Sequence, residues 1–220
     1  MKTITQNLQT LKNSLEDYSQ INIVVVTKTR SPEEIEEAIS AGAKSIGENR
    51  VQEAEKKFSK INNLNQVEKR LIGKLQTNKA NKAVKIFDTI DSVDSLRLSK
   101  KISKAAENIG KRQRVLLQIN SSEESTKSGF GLNNKKEILE CFNMPGIRVE
   151  GLMTMGPNTK NINTITKAFQ KTKILFDEIG AVEGTAVKTL SMGMSGDYLI
   201  AIREGSTSIR VGTAIFGPRN

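Results

Sequence analysis

Apolar positions along the chain follow two rhythms. Ile4, Leu8, Leu11 and Leu15 recur at helical spacing, which predicts one amphipathic helix over residues 1 to about 18 with a polar outer face. Beyond it, short apolar runs at 23–26, 45–46, 70–72, 89–93, 115–119, 149–153, 189–192 and 209–211 alternate with stretches that carry helix signals. Ser31 stands as an N-cap with Pro32 at the first helical position, so a helix is expected to run through Ala41 and stop at Gly42. Further helices are expected over 51–58, 79–85, 95–108, 135–141, 162–179 and 197–204. Strands that alternate with helices, without a Pro-, Ser- or Gly-rich linker, indicate a parallel α/β fold. Eight such units fit a single-domain (β/α)8 TIM barrel over 1–220 with an extra N-terminal helix; an open doubly wound sheet is the alternative.

Composition narrows the chemistry. The chain has no His, one Cys and no Trp. Without imidazole there is no Ser-His-Asp or Cys-His nucleophile system, no His-ligated metal and no His proton shuttle. Cys141 has no partner for an internal disulfide and, beside Leu139 and Phe142, reads as a packed thiol on a helix. That use of cysteine, with no leader-like N-terminus and no membrane-length apolar stretch, predicts a cytoplasmic protein. Lys and Arg number 34 against 24 Asp and Glu, a net charge of +10, yet only nine aromatic residues (seven Phe, two Tyr) are present to stack on bases. Lysine-rich solvated helix faces account for the excess, and neither a nucleic-acid nor a membrane partner is expected.

In a barrel, functional residues sit at the C-terminal ends of the strands. The first apolar run is followed by Thr27, Lys28, Thr29 and Arg30. An unprotonated lysine amine at that place can attack an aldehyde to form a Schiff base. The seventh and eighth runs lead into Ser195-Gly196 and Gly212-Thr213. These are the loops where such barrels commonly bind phosphate, because small residues let backbone amides converge on an anion. A Schiff-base lysine opposite a phosphate cradle suits pyridoxal 5'-phosphate (PLP).

Seven segments then carry a resemblance: 26–29 (Val-Thr-Lys-Thr), 47–53 (Gly-Glu-Asn-Arg-Val-Gln-Glu), 72–79, 125–130, 151–155, 191–197 and 205–217. Together they resemble the YggS/PROSC family of PLP homeostasis proteins over essentially the whole chain. The resemblance implies a barrel similar to the N-terminal domain of alanine racemase, with PLP held as an imine on Lys28. It implies phosphate contacts at Ser195, Gly212 and Thr213, with Asn49 and Met194 lining the pocket and Arg210 near the pyridine nitrogen. Lys127 matches a family lysine linked to PLP transfer or a secondary site. The family's aromatic residue after Gly-Glu-Asn is replaced by Arg50, and a His-containing stretch by Arg70 to Lys74.

A cation beside the pyridine nitrogen disfavours its protonation and weakens the cofactor as an electron sink. Racemisation also needs an acid on the opposite face, and neither Tyr18 nor Tyr198 has a claim to that role. The expectation is therefore a non-catalytic carrier that buffers PLP or delivers it to apo PLP-dependent enzymes, as a monomer or weak homodimer, with no metal. A PLP-dependent amino-acid racemase and a Schiff-base aldolase, in which Lys28 attacks a sugar phosphate, remain as alternatives.

Overall fold

The computed structural model describes residues 3–122, 128–182 and 185–218. Eight parallel strands, β1 (Asn22–Val26), β2 (Ser45–Glu48), β3 (Glu68–Leu71), β4 (Thr89–Val93), β5 (Gln113–Ile119), β6 (Ile147–Thr154), β7 (Thr189–Met194) and β8 (Ser208–Val211), hydrogen-bond in sequence order around a closed barrel. Closure comes from β1 against β8, with Val24 opposite Arg210 and Val25 opposite Val211. The open-sheet alternative is thereby excluded, since such a sheet leaves two edge strands unpaired.

Helices α1 (Ile4–Asn13), α2 (Pro32–Ser40), α3 (Val51–Phe58), α4 (Ala80–Ile86), α5 (Leu96–Glu107), α6 (Lys135–Phe142), α7 (Ile162–Gly180), α8 (Tyr198–Arg203) and α9 (Thr213–Phe216) accompany the strands. The expected long first helix is shorter. After α1 the Ser14 amide closes onto the Thr10 and Lys12 carbonyls and the chain tightens into a 3-10 turn, Glu16–Tyr18, which turns Leu15 into the core. Ser31 caps α2 reciprocally with Glu34, and Pro32 opens it, as the sequence predicts. A 3-10 turn, Thr77–Lys79, takes Lys79 out of the expected fourth helix, and the four-residue α9 was not expected at all.

The two faces of the barrel wall differ in chemistry. Aliphatic side chains such as Ile46, Leu71, Ile90, Val115, Leu117, Leu152 and Leu190 pack with the helices into the main core. At about 1.5–3 kcal/mol for each fully buried aliphatic side chain, this layer is the principal source of stability. The wall also buries polar side chains: Ser45, Arg70, Thr89, Asp91, Ser191, Ser208 and Arg210 are each at most 4% exposed. They bond to one another across strands. Arg70 donates to both carboxylate oxygens of Asp91 at 3.0 Å and to Glu68 at 2.7 Å, and Thr89 donates to Glu68 at 2.6 Å. Pairing and full hydrogen bonding are what make such charges tolerable inside a protein. Close backbone approach has its own requirement, since a Cβ on Gly151 of β6 would overlap the Thr189 carbonyl at the start of β7.

Cys141 on α6 is fully buried, as the sequence reading expects, and its thiol donates to the Glu137 carbonyl and faces the Ser99 hydroxyl, each at 3.3 Å. Burial pushes its pKa up to about 11, although the Ser99 bond opposes the shift. The thiolate fraction at neutral pH is then on the order of 10⁻⁴. A colorimetric disulfide reagent is expected to leave native protein unmodified at pH 7 and to titrate one thiol per chain in denaturant; rapid labelling of native protein would contradict this packing.

Candidate functional site

The expected site residues that the structure describes sit at or just after the C-terminal ends of strands, and closure gathers seven of them around one cavity of about 500 Å³. Lys28 follows β1, and Asn49 follows β2. Met194 ends β7, Ser195 follows it, Arg210 lies within β8, and Gly212 and Thr213 follow β8. All seven line the cavity. Gly196 lies in the same turn as Ser195 but does not line it, and Lys127 lies outside the described residues. Arg50, which replaces the family's aromatic residue, is exposed at the start of α3 and borders a neighbouring recess. Tyr18 and Tyr198 do not line the cavity.

The amine of Lys28 is half-buried and reaches the cavity with no hydrogen-bond or ion-pair partner among the described residues. On the β7 and β8 side, the Ser195 hydroxyl accepts from the amides of Gly212 and Ala214 at 3.3 and 3.4 Å. These are long bonds, so the same amides remain available to an anion with stronger acceptor oxygens. Gly212 packs on β1, where an added Cβ would stand 3.3 Å from Val26. The small residue therefore keeps the cradle close to the strand that carries Lys28.

Arg210 is fixed before any ligand arrives. Its Nη1 donates to the Ser191 carbonyl at 2.9 Å and hydroxyl at 2.6 Å, and its Nη2 donates to the Thr154 carbonyl at 2.8 Å. Burial pushes its pKa down to about 10, while the negative charges of Asp91 and Asp197 pull the other way. At neutral pH the guanidinium is still charged.

The cavity has further cationic walls that sequence reasoning did not assign to it. Arg30 and Lys74 both line it. Arg30 also donates to the Gly217 carbonyl at 3.0 Å, pairs with Glu34, and lies 5.1 Å from the Phe216 ring centre, tying the β1 turn to the chain after β8. Lys74 donates to Ser128 across the mouth at 2.8 Å. The basic character of 28–30 and of Lys74 was visible in the sequence, but their convergence depends on barrel closure. No carboxylate lines the cavity among the described residues, and no His, Cys, Asp and Glu cluster able to hold a metal occurs among them.

One cavity thus brings together an amine without a partner among the described residues, the small-residue turns after β7 and β8, and a buried cation. Comparison with known proteins agrees. Residues 1–220 match the family described as alanine racemase, N-terminal domain. The pyridoxal phosphate homeostasis protein of Aquifex aeolicus is 40% identical over 194 residues, which covers 88% of this chain and 85% of that protein. The structure of PipY of Synechococcus elongatus without PLP is 33% identical, has a TM-score of 0.92, and covers 98% of this chain and 100% of its own. The structure of PipY with PLP bound gives 32% identity and a TM-score of 0.89 at the same coverage. The chain thus belongs to the alanine racemase N-terminal domain family and, within it, to the pyridoxal phosphate homeostasis proteins.

Proposed function

We propose that this chain binds PLP reversibly in intracellular PLP homeostasis, as a carrier that buffers the cofactor or passes it on, with Lys28 as the covalent anchor. The observation that carries this reading is that Lys28, whose amine has no partner among the described residues, lines one cavity with Ser195 and Gly212, where the Ser195 hydroxyl collects the Gly212 and Ala214 amides. The relatives' names and the PLP-bound PipY structure support it.

The linkage balances simply. The lone pair of unprotonated Lys28 Nζ adds to the aldehyde carbon, and loss of the carbonyl oxygen as water leaves a carbon–nitrogen double bond; hydrolysis reverses both steps. The chain's own residues then divide the labour. The Gly212 and Ala214 amides, the Ser195 and Thr213 hydroxyls and the positive charges around the mouth receive the phosphate. Asn49 and Met194 bound the ring. When bound, PLP supplies an electrophilic aldehyde and, in enzymes, an electron sink.

Here the sink has no support. Arg210 is held as a cation where a carboxylate would be needed to keep a pyridine nitrogen protonated, and among the described residues neither tyrosine nor carboxylate lines the cavity to serve as a second acid or base. These features favour holding PLP over turning over an amino acid with it, and a racemase reading lacks a residue for the opposite face. An aldolase reading would use the same lysine and cradle, but gains no support from the PLP-bound relative.

Lys28→Ala is expected to abolish the long-wavelength imine absorbance that appears when protein is mixed with PLP, without change in thermal stability. A retained band would move the linkage to another lysine. Ser195→Ala removes one phosphate contact and is expected to weaken PLP binding about tenfold, the scale of one charge-assisted hydrogen bond, while leaving the weaker binding of unphosphorylated pyridoxal unchanged. Equal losses for both ligands in a spectroscopic titration would take Ser195 out of the phosphate site.

A further inference from the structure

The turn that carries Lys28 is bonded to charged residues outside the cavity, of which Glu48 and Lys57 are buried and Glu53 is partly exposed. Thr27, Lys28, Thr29 and Arg30 form a tight turn closed by the Arg30 amide on the Thr27 carbonyl at 3.1 Å. Thr29, its third residue, has φ of 63° and is the one non-glycine residue in the left-handed region among the described residues. Glycine normally occupies that place in a turn of this kind, and a β-branched side chain there is strained. Such strain persists only where surrounding contacts over-determine the conformation.

Those contacts come from α3 and the end of β2. The Thr29 amide donates to Glu53 Oε1 at 2.7 Å. Lys57 Nζ donates to the Thr27 carbonyl at 2.9 Å, to Glu48 Oε1 at 2.9 Å and to Glu53 Oε1 at 3.0 Å. The Thr27 hydroxyl donates to Glu48 Oε1 at 2.6 Å. The peptide groups on both sides of Lys28 are therefore anchored to one ammonium and one carboxylate, and the Thr27 hydroxyl to a second carboxylate. Glu48 is fully buried and Lys57 only 8% exposed, and the second oxygen of Glu48 has no partner among the described residues. A buried ion group of this sort is weak evidence for stability, because desolvation offsets its attraction. A role in fixing geometry accounts for it better.

We infer that Lys57, with Glu48 and Glu53, is a positioning residue that clamps the strained Thr27–Arg30 turn and so aims the Lys28 amine at the aldehyde of its ligand. This rests on Lys28 being the anchor, as proposed above. Without the clamp the turn relaxes away from the left-handed conformation at Thr29, and the amine loses its fixed approach. The phosphate cradle on β7 and β8 is untouched.

The test uses Lys57→Met in the full chain, with two ligands. Its imine equilibrium constant with PLP is expected to fall about tenfold, on the scale of one released strained residue. Binding of pyridoxine 5'-phosphate, which has the same ring and phosphate but no aldehyde, is expected to change less than twofold. Amide hydrogen exchange in ligand-free protein is expected to quicken at residues 27–30 and not in the barrel strands. Glu53→Ala, at a site 30% exposed and thus tolerant of change, is expected to give the same split should Lys57→Met fold poorly. Adding Thr29→Gly to either variant is expected to restore the imine to within about threefold of the original, because glycine adopts the turn without strain. Equal losses for both ligands, an unchanged imine constant, or no rescue by glycine would overturn the clamp. Were the original protein to form no imine on Lys28, the anchor reading would fail instead, and exchange at 27–30 would still decide whether Lys57 holds the turn.

Discussion

The pairing of β1 with β8 is the constraint on which the site depends. Lys28 and Gly212 are far apart in the chain, and only closure of the barrel sets Val24 opposite Arg210 and brings the turn after β1 beside the turn after β8. Closure also removes the sheet edges that an open arrangement would expose. The lack of a side chain at Gly212 lets its loop lie against Val26. Lys28 and the turns that carry Ser195 and Gly212 thus line one cavity.

Charge buried in the barrel follows the same arrangement. Arg70 is held by Asp91 of β4 and Glu68 of its own strand, and Arg210 by Ser191 of β7 and Thr154 of β6, so each guanidinium is immobilised by partners in the barrel wall. Fixed this way, Arg210 offers a ligand a permanent cation that costs little reorganisation on binding. Under the proposed function it stands where many PLP enzymes place a carboxylate to strengthen their electron sink, which favours carrying the cofactor over turning over an amino acid with it.

The barrel was legible because parallel strands covered on both faces leave apolar runs, and eight of them emerged in order. Their ends were less legible where the wall is polar. β3 begins at Glu68, two residues before the expected run, because Glu68 and Lys69 are strand residues that hydropathy reads as surface. The short α9 was hidden for another reason: four residues after Gly212 carry no periodicity to detect. Lys28 and the two small-residue loops were readable from their places after strands 1, 7 and 8, whereas Asn49, Met194 and Arg210 came from family resemblance. The support beneath Lys28 was missed. Glu48 and Lys57 look solvated in sequence, and the four-residue spacing of Glu53 and Lys57 on α3 was the one local hint. Thr29 gave none, since a left-handed threonine is imposed by its surroundings rather than by its own preference.

Under the proposed function a single lysine at the end of β1 carries the cofactor. Reducing the PLP-loaded protein with borohydride, digesting it, and locating the phosphopyridoxyl group by mass spectrometry identifies that lysine. Stoichiometric modification at Lys28, with little elsewhere, is expected. Modification centred on another lysine, or scattered over the basic surface with Lys28 unmodified, would contradict it.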